Sequence, residues 1–139
     1  MSFMSVEFVD TNIFVYASDS GMGAKFHAAV VLISHLAETG AGAISTQVLS
    51  EFYNAATTKL RMPSEEAEET LRDLEAWTIH RPGHSDVLSA VRIQRRYRIA
   101  WWDAMIVNSA IECGAEILWT EDLKAGQKFG PLVVRNPLG

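Results

Sequence analysis

The stretch Val6-Glu7-Phe8-Val9-Asp10-Thr11-Asn12 determines how the rest of the chain is interpreted. Its first four residues form a short apolar-rich run, typical of a buried β-strand, and an aspartate follows immediately. Three other segments place acidic side chains in comparably apolar settings: Leu49-Ser50-Glu51-Phe52, Trp102-Asp103-Ala104-Met105-Ile106 and Leu118-Trp119-Thr120-Glu121-Asp122-Leu123. Two unpaired carboxylates about 5 Å apart repel by roughly 3 kcal/mol at an effective dielectric of about 20, so a converging set requires a cation. The sequence therefore indicates a metal site.

The composition predicts one domain over residues 1–139, because 48% of the residues are hydrophobic and can form a core. The longest purely aliphatic stretch, residues 28–33, is far shorter than a bilayer crossing requires, and no basic region precedes an apolar one near the first residue. We therefore expect a soluble cytoplasmic protein. The net charge of −5 argues against general attraction to nucleic acid, but two divalent ions held by four acidic groups would change it to −1.

Strand-like and helix-like segments alternate along the chain without a long linker, and this order predicts an α/β fold. The predicted strands are residues 6–9, 43–45, 78–79, 115–119 and 132–134. Helices are expected at residues 24–36, 47–60, 85–97 and 103–112, with another starting at Pro63 and Ser64. We expect Thr46 to be an N-cap, and we expect the following side chains to face the core of the last two helices: Val87, Ala90, Val91, Val107, Ala110 and Ile111.

The acidic residues are expected to meet at one edge of the predicted sheet. Asp10 and Asp122 follow strands, and ligands of open α/β sheets gather beyond the carboxyl ends of parallel strands. Asp103 lies in the first turn of its helix, where the helix dipole favours a carboxylate, and Glu51 can reach in from its own helix. Such oxygen ligands suit Mg²⁺ or Mn²⁺, which can orient and activate a water for attack on a phosphodiester.

Four segments in this order resemble the signatures of PIN domains: Asp10-Thr11-Asn12, Gln47-Val48-Leu49-Ser50-Glu51-Phe52, Asp103-Ala104-Met105-Ile106 and Thr120-Glu121-Asp122-Leu123. The length and the order of the segments are similar to those of the VapC-type toxins in this superfamily. The resemblance implies a three-layer α/β/α PIN-like fold with a central, mostly parallel five-stranded sheet. It further implies a Mg²⁺-dependent endoribonuclease of a type II toxin-antitoxin system, which forms a homodimer and is silenced by a small antitoxin protein.

The resemblance also implies which residues form the site. The catalytic and metal-binding set would be the four acidic residues, with Mg²⁺ or a substituting Mn²⁺ as the cofactor: Asp10, Glu51, Asp103 and Asp122. Asn12 and Thr120 would be polar supports near the metal and the phosphate. Glu121 competes with Asp122 for the fourth acidic position, and the Thr-x-Asp spacing favours Asp122.

A basic and aromatic segment directly precedes Asp103, and it comprises Arg92, Arg95, Arg96 and Arg98 with Tyr97, Trp101 and Trp102 interleaved. These arginines could guide an RNA backbone to the metal, and an aromatic ring could stack on a base. The alternative is a solvated helix face followed by tryptophans of the core.

Three hypotheses for function follow. The leading one is a toxin-type ribonuclease, in which metal-activated water attacks a phosphodiester in structured RNA that has a single-stranded loop. The second is a non-catalytic PIN scaffold that binds RNA or a partner protein. The third is a phosphatase or receiver-like domain with an aspartate beside Mg²⁺, although phosphatases of the haloacid dehalogenase type have a second aspartate where this chain has Asn12.

Overall fold

A six-stranded sheet forms the centre of the computed structural model, which describes residues 5–139. The strands are β1 (Glu7–Val9), β2 (Gly42–Ser45), β3 (Thr78–His80), β4 (Ile117–Trp119), β5 (Lys128–Phe129) and β6 (Leu132–Arg135). Their spatial order is β3-β2-β1-β4-β6-β5, and every pairing is parallel except that of β5 with β6. The predicted α/β class with a mostly parallel sheet is confirmed. The four N-terminal residues of the predicted 1–139 domain lie outside the described part.

In the described part of the chain, six α-helices cover the sheet: α1 (Thr11–Ala17), α2 (Ala24–Thr39), α3 (Thr46–Thr58), α4 (Ser64–Asp73), α5 (His84–Tyr97) and α6 (Trp101–Glu112). The connections from β1 to β3 run in one direction across the sheet, and the connection from β3 to β4 returns past β1. Right-handed crossovers therefore put α1 to α4 on one face and α5 and α6 on the other. Within residues 5–139, none of the helices combines the length and the apolar composition that a membrane crossing needs.

The core is centred on the parallel strands, whose apolar side chains are buried on both faces. Phe8, Ile44, Leu118 and Val134 are fully buried and come from four neighbouring strands. On the α1 side, the ring of Phe14 makes edge-to-face contacts with Phe52 and Trp77, at centroid distances of 6.4 Å and 5.6 Å. These aromatic contacts fix α1 against α3 and against the end of the segment that enters β3.

Two elements differ from the sequence expectation. The sheet has six strands instead of five, because Lys128 and Phe129 form a two-residue strand that pairs antiparallel with β6 and is too short to show a periodicity. Helix α1 was not predicted either. Its residues Ile13-Phe14-Val15-Tyr16 are β-branched and aromatic, and the helix starts directly after β1 because Asp10 serves as its N-cap.

Three local predictions were wrong. The N-cap of α3 is Ser45, whose hydroxyl accepts from the backbone N–H of Val48 at 3.3 Å, so Thr46 is already inside the helix. Val87 and Ile111 were expected to face the core, but they are 41% and 39% exposed. Helix α6 is buried all round along residues 104–110, and Ile111 lies beyond this stretch in the last turn, where the helix returns to the surface.

A partly buried polar network joins β3 to the two helices on its face. His80 Nδ1 lies 2.9 Å from the hydroxyl of Ser109, and its Nε2 lies 3.3 Å from Asp86 Oδ1. Asn108 Nδ2 donates to the same Asp86 oxygen at 2.9 Å, and the Gly83 N–H donates to Oδ2 at 2.7 Å. The hydrogen bond from the Gly83 N–H, and to a smaller extent the one from Asn108, holds the pKa of Asp86 below its ordinary value.

We expect Asp86→Asn to lower the free energy of unfolding by about 1.5–3 kcal/mol at pH 7, because a carboxylate that accepts several hydrogen bonds is lost. The pKa of Asp86 is lower in the folded state than in the unfolded state, where it is about 4, so the ionised carboxylate stabilises the fold at pH values above 4. This stabilisation disappears as the pH falls through the pKa of the folded state. The difference between wild type and variant should therefore shrink at pH 3, as measured by urea unfolding. The control is Asp73→Asn, which changes an exposed aspartate. An undiminished difference at pH 3 would contradict this account.

Gly42 allows close packing of Trp77 on the sheet. A methyl group at Gly42 would overlap the six-membered ring of Trp77, so Gly42→Ala must displace that ring. We expect a loss of about 1–3 kcal/mol, typical of overpacking. The same substitution should cost much less in a Trp77→Leu background, because the obstructing ring is absent, and a double-mutant cycle by chemical denaturation measures this difference. Additive effects would show that the contact is not responsible.

Candidate metal centre and active-site cleft

The candidate site lies where the chain changes direction across the sheet. The connection after β1 leads towards β2, whereas β4 occupies the opposite side of β1, so the carboxyl ends of β1 and β4 border the topological switch point. The backbone N–H of Asp10 donates to the carbonyl of Trp119 at 3.0 Å, which places the two strand ends side by side. Residues that follow these strands therefore enter the same crevice.

Three of the four predicted acidic residues converge there. Asp10, Asp103 and Asp122 each offer one carboxylate oxygen, and these oxygens all lie within 4.8 Å of one another. Glu51 is outside this group of three but borders the same cleft, which has a volume of about 680 Å³. The three aspartates, called the acidic group below, differ in exposure: Asp10 is buried, Asp103 is half-buried and Asp122 is exposed. A ligand from solvent would thus reach Asp122 and Asp103 before the buried Asp10.

Asp10 is the most strongly perturbed member of the group. Its Oδ1 accepts from the backbone N–H of Thr11 at 2.7 Å, and its Oδ2 accepts from the hydroxyl of Thr120 at 2.8 Å. Burial nevertheless raises the pKa of Asp10 to about 7, and the charges of Asp122 and Glu51 act in the same direction, outweighing the two hydrogen bonds. The carboxylate is therefore held in place by donors that do not neutralise its charge.

Thr120 and Asn12, the predicted polar supports, connect Asp10 with Asp122. The Thr120 hydroxyl accepts from the backbone N–H of Asp122 at 3.0 Å, a local turn that is typical of threonine two residues before its donor. Asn12 Nδ2 donates to Asp122 Oδ2 at 2.9 Å and lies 3.3 Å from the Thr120 hydroxyl. Two neutral side chains thus bridge two carboxylates without adding charge.

Glu51 is positioned by two residues that the sequence analysis did not single out. The Thr11 hydroxyl donates to Glu51 Oε1 at 3.1 Å, and Gln47 Nε2 donates to the same oxygen at 3.3 Å. Within the described residues, Glu51 Oε2 has no protein donor. The spacing of Gln47 and Glu51, four residues apart on α3, is a signal that could have identified this pair.

The geometry favours Asp122 over Glu121 as the fourth acidic residue. Glu121 Oε2 lies 3.8 Å from Lys25 Nζ, and the Glu121 carboxylate is the main cause of the raised pKa of the Tyr16 phenol. Its carboxylate is therefore paired with groups on α1 and α2. Asp122, in contrast, is in the group of converging aspartates.

The donor set fits a hard divalent cation. Carboxylate oxygens are the ligands that Mg²⁺ and Mn²⁺ prefer, and one or two protein carboxylates with several waters suffice for Mg²⁺. Burial raises the pKa of Asp103, with the charges of Asp122 and Glu51 adding to the effect. Lys25 pairs with Glu121, and Lys59 is the lysine among the described residues that line the cleft. The aspartates thus concentrate negative charge that a bound cation would offset.

The four arginines of the basic segment do not border this cleft in the described structure. Arg92 and Arg96 line a separate depression of about 450 Å³, and all four arginines are exposed. The two tryptophans of the segment differ from each other. Trp101 packs against the buried residues Ala90, Ala104 and Met105, whereas Trp102 is 60% exposed and lines the acidic cleft.

We expect wild-type protein to bind Mn²⁺ and Asp122→Asn to bind it at least about 10-fold more weakly, because a charged ligand is lost. Glu121→Gln is the matched control, since it removes the neighbouring charge and should change affinity little. Binding should be tighter at pH 8 than at pH 6, because the cation must displace a proton from Asp10. Isothermal titration calorimetry measures both effects. If the two variants lose affinity equally, Asp122 has no specific role.

Comparisons with known proteins support this description of the fold. A toxin-antitoxin complex from Klebsiella pneumoniae contains a chain with a TM-score of 0.67 and 21% identity, over 96% of this chain and 98% of that one. A chain of VapBC2 from Rickettsia felis, bound to a promoter DNA fragment, has a TM-score of 0.67 and 21% identity, over 94% of this chain and 98% of that one. VapC20 from Mycobacterium tuberculosis, a toxin that cleaves the sarcin-ricin loop, has a TM-score of 0.64 and 16% identity, over 81% of this chain and 86% of that one.

Sequence comparison identifies the family. No curated protein sequence gave a significant match. The family model of the PIN domain, however, matches residues 8–127, a range that includes all four predicted acidic positions. The chain therefore belongs to the PIN domain family.

Proposed function

We propose that this protein is a Mg²⁺-dependent endoribonuclease that hydrolyses RNA phosphodiester bonds with a metal-activated water. The observation that carries this proposal is the convergence of carboxylate oxygens from Asp10, Asp103 and Asp122 within 4.8 Å, in a cleft at the switch point of a PIN domain. A structurally similar protein, VapC20, is described as a toxin that cleaves the sarcin-ricin loop. Mn²⁺ would substitute for Mg²⁺ because both accept the same oxygen ligands.

The proposed roles follow from the contacts in the cleft. Asp10, Asp103 and Asp122 would hold the cation, which when bound lowers the pKa of a water and offsets charge on the phosphoryl oxygens. Thr120 and Asn12 fix the carboxylates of Asp10 and Asp122, so the site needs little rearrangement before it binds. The free oxygen of Glu51 can accept a proton from a water in the cleft or join the cation's ligands.

Hydrolysis by water fits the cleft better than attack by a protein nucleophile. Among the described residues that line the cleft, there is no serine, cysteine or histidine. The hydroxyl of Thr11 donates to Glu51, and the Glu121 carboxylate raises the pKa of the Tyr16 phenol, which makes the phenol less easily ionised. Covalent catalysis by a hydroxyl or thiol commonly relies on a neighbouring histidine as the base, and the described lining of the cleft contains no such pair.

We further propose that the protein is the toxin of a cytoplasmic toxin-antitoxin module, a single PIN domain that forms a homodimer and is silenced by a cognate antitoxin. The support is the similarity to chains of two such complexes. Exposed apolar side chains of α5 and α6, Leu88 and Ile111 among them, would provide surface for a protein partner. Arg92, Arg95, Arg96 and Arg98 remain candidates for RNA contacts outside the cleft. A neighbouring reading frame for a small DNA-binding protein would add support.

Purified wild-type protein should cleave RNA in Mg²⁺ or Mn²⁺ and lose this activity in EDTA. Combined Asp10→Asn and Asp103→Asn substitution should reduce the rate of cleavage at least about 100-fold, because two proposed metal ligands are lost. Loss of a residue that only supports a metal ligand already lowers metal affinity or activity by about 10–100-fold. Gel analysis of end-labelled RNA measures the rate.

A contaminating ribonuclease is the main concern in this assay. The control is Asp73→Asn, an exposed position on α4, purified by the same procedure. Cleavage that persists at the wild-type rate in the double variant would reject the proposed site. Absence of metal-dependent cleavage by the wild type, together with absence of cation binding, would favour the non-catalytic scaffold.

A further inference from the structure

The exposed side chain of Trp102 is the feature of the cleft that the proposed chemistry does not use. Trp102 is 60% exposed, more than any other large apolar residue in the described part of the chain. A fully buried tryptophan contributes one of the largest apolar areas of any side chain, so leaving the indole open forgoes stabilisation. Its neighbour Trp101 packs on the core and anchors the start of α6, which leaves Trp102 at the surface directly before Asp103.

Trp102 borders two depressions. One is the acidic cleft, and the other is a depression of about 510 Å³ that is lined by Thr46, Gln47, Ser50, Glu51, Pro82 and Trp102. Gln47, Glu51 and Trp102 line both. A polymer that passes through the acidic cleft therefore has a second compartment within one residue of Asp103.

The position of Trp102 is coupled to that of the acidic group. Gln47 Nε2 lies 3.5 Å from the Trp102 carbonyl and 3.3 Å from Glu51 Oε1, so one amide connects the start of α6 to the carboxylate on α3. Among the described residues, no hydrogen-bond partner occupies the indole N–H of Trp102, whereas that of Trp119 donates to Glu7 at 2.8 Å. The exposed ring thus has its face and its donor available to a ligand.

The lining of the second depression favours a base over a phosphate. Thr46, Ser50, Gln47 and Pro82 are uncharged, and the only charged lining residue in the described chain is the acidic Glu51. A phosphate there would meet no lysine or arginine and would be repelled by that carboxylate. An uncharged heterocycle can instead stack on the indole and form hydrogen bonds with the hydroxyl and amide groups.

We propose that Trp102 is the stacking platform for an unpaired base next to the scissile phosphate, and that the depression beside it is a base-binding subsite. This inference rests on the proposed ribonuclease function and specifies its substrate class. A base that is paired within a duplex offers no free face to an inserted ring, so the substrate must present an unstacked nucleotide at the cleavage position. Single-stranded segments and loops with an extruded base satisfy this requirement.

The first test measures binding in an Asp10→Asn background in EDTA, where the proposed metal-dependent reaction should not cut RNA. Addition of a single-stranded oligoribonucleotide should quench tryptophan fluorescence. Trp102→Phe should remove most of this quench, because neither depression is lined by any of the other three tryptophans, Trp77, Trp101 and Trp119. Trp102→Ala should weaken binding about 5- to 100-fold, which is the range for loss of one stacked base. Trp102→Phe should retain most of the affinity, since a ring is still present.

The second test measures cleavage with Asp10 intact. Trp102→Ala should lower kcat/KM for a single-stranded or loop substrate by a similar factor, whereas Val31→Ala, which truncates another exposed apolar side chain outside both depressions, should have no effect. Fully paired RNA should be a poor substrate for the wild type.

The outcomes separate this inference from the proposed function. If Trp102→Ala cuts loop substrates at the wild-type rate while loss of Asp10 abolishes cutting, the subsite is rejected and the ribonuclease stands. If the quench persists in Trp102→Phe, the stacking platform is likewise rejected. If the wild type shows a Trp102-dependent quench but no metal-dependent cutting, the base subsite stands and the ribonuclease is rejected.

Discussion

The parallel pairing of β1 with β4 is the contact on which the site depends. In its register, Phe8 opposes Leu118 and Val9 opposes Trp119, so the next residues along each strand, Asp10 and Thr120, arrive at the same level. A shift by one residue would turn buried side chains to the opposite face of the sheet and break the 2.8 Å hydrogen bond between Thr120 and Asp10. The fully buried Phe8 and Leu118 fix this register by packing, and the polar contacts of the cleft follow from it.

The burial of Asp10 lowers the stability of the folded state at neutral pH. An unfolded aspartate loses its proton near pH 4, whereas burial raises the pKa of Asp10 to about 7 in the folded chain. Ionisation of this carboxyl group at neutral pH therefore opposes folding in the absence of a cation. The Thr120 hydroxyl and the more distant Asn12 amide donate to this carboxyl group and orient it, but they leave its charge in place. This combination of fixed geometry and uncompensated charge is typical of sites that are organised before their ligand arrives.

Much of the fold could be predicted from the sequence because four of the five main strands, all except the edge strand β3, are short apolar segments bounded by turns and helices. Parallel strands produce this pattern when both faces are buried. The fourth signature was also informative, since the Thr-x-Asp spacing has a local physical basis in the turn that joins the Thr120 hydroxyl to the Asp122 N–H. Helix α1 was missed because Ile13 and Val15 have strand-like propensity, and packing of Phe14 on Phe52 and Trp77 overrides it. The separation of Arg92 and Arg96 from the cleft could not be predicted, because sequence proximity to Asp103 does not indicate which end of α5 faces the site.

The hydrogen bond between Thr120 and Asp10 joins residues 110 positions apart, and this distance has a consequence for biosynthesis. Closing a chain segment of that length costs about 4 kcal/mol in entropy, which the packing of β4 against β1 must offset. Ribosomes add about 5–20 residues per second, so Asp122 is made on the order of ten seconds after Asp10. A nascent chain therefore carries Asp10, Glu51 and Asp103 before the strand that completes the acidic group exists. The three aspartates therefore cannot come together until translation has passed Asp122. A chain truncated before β4 lacks Asp122 and never forms the acidic group.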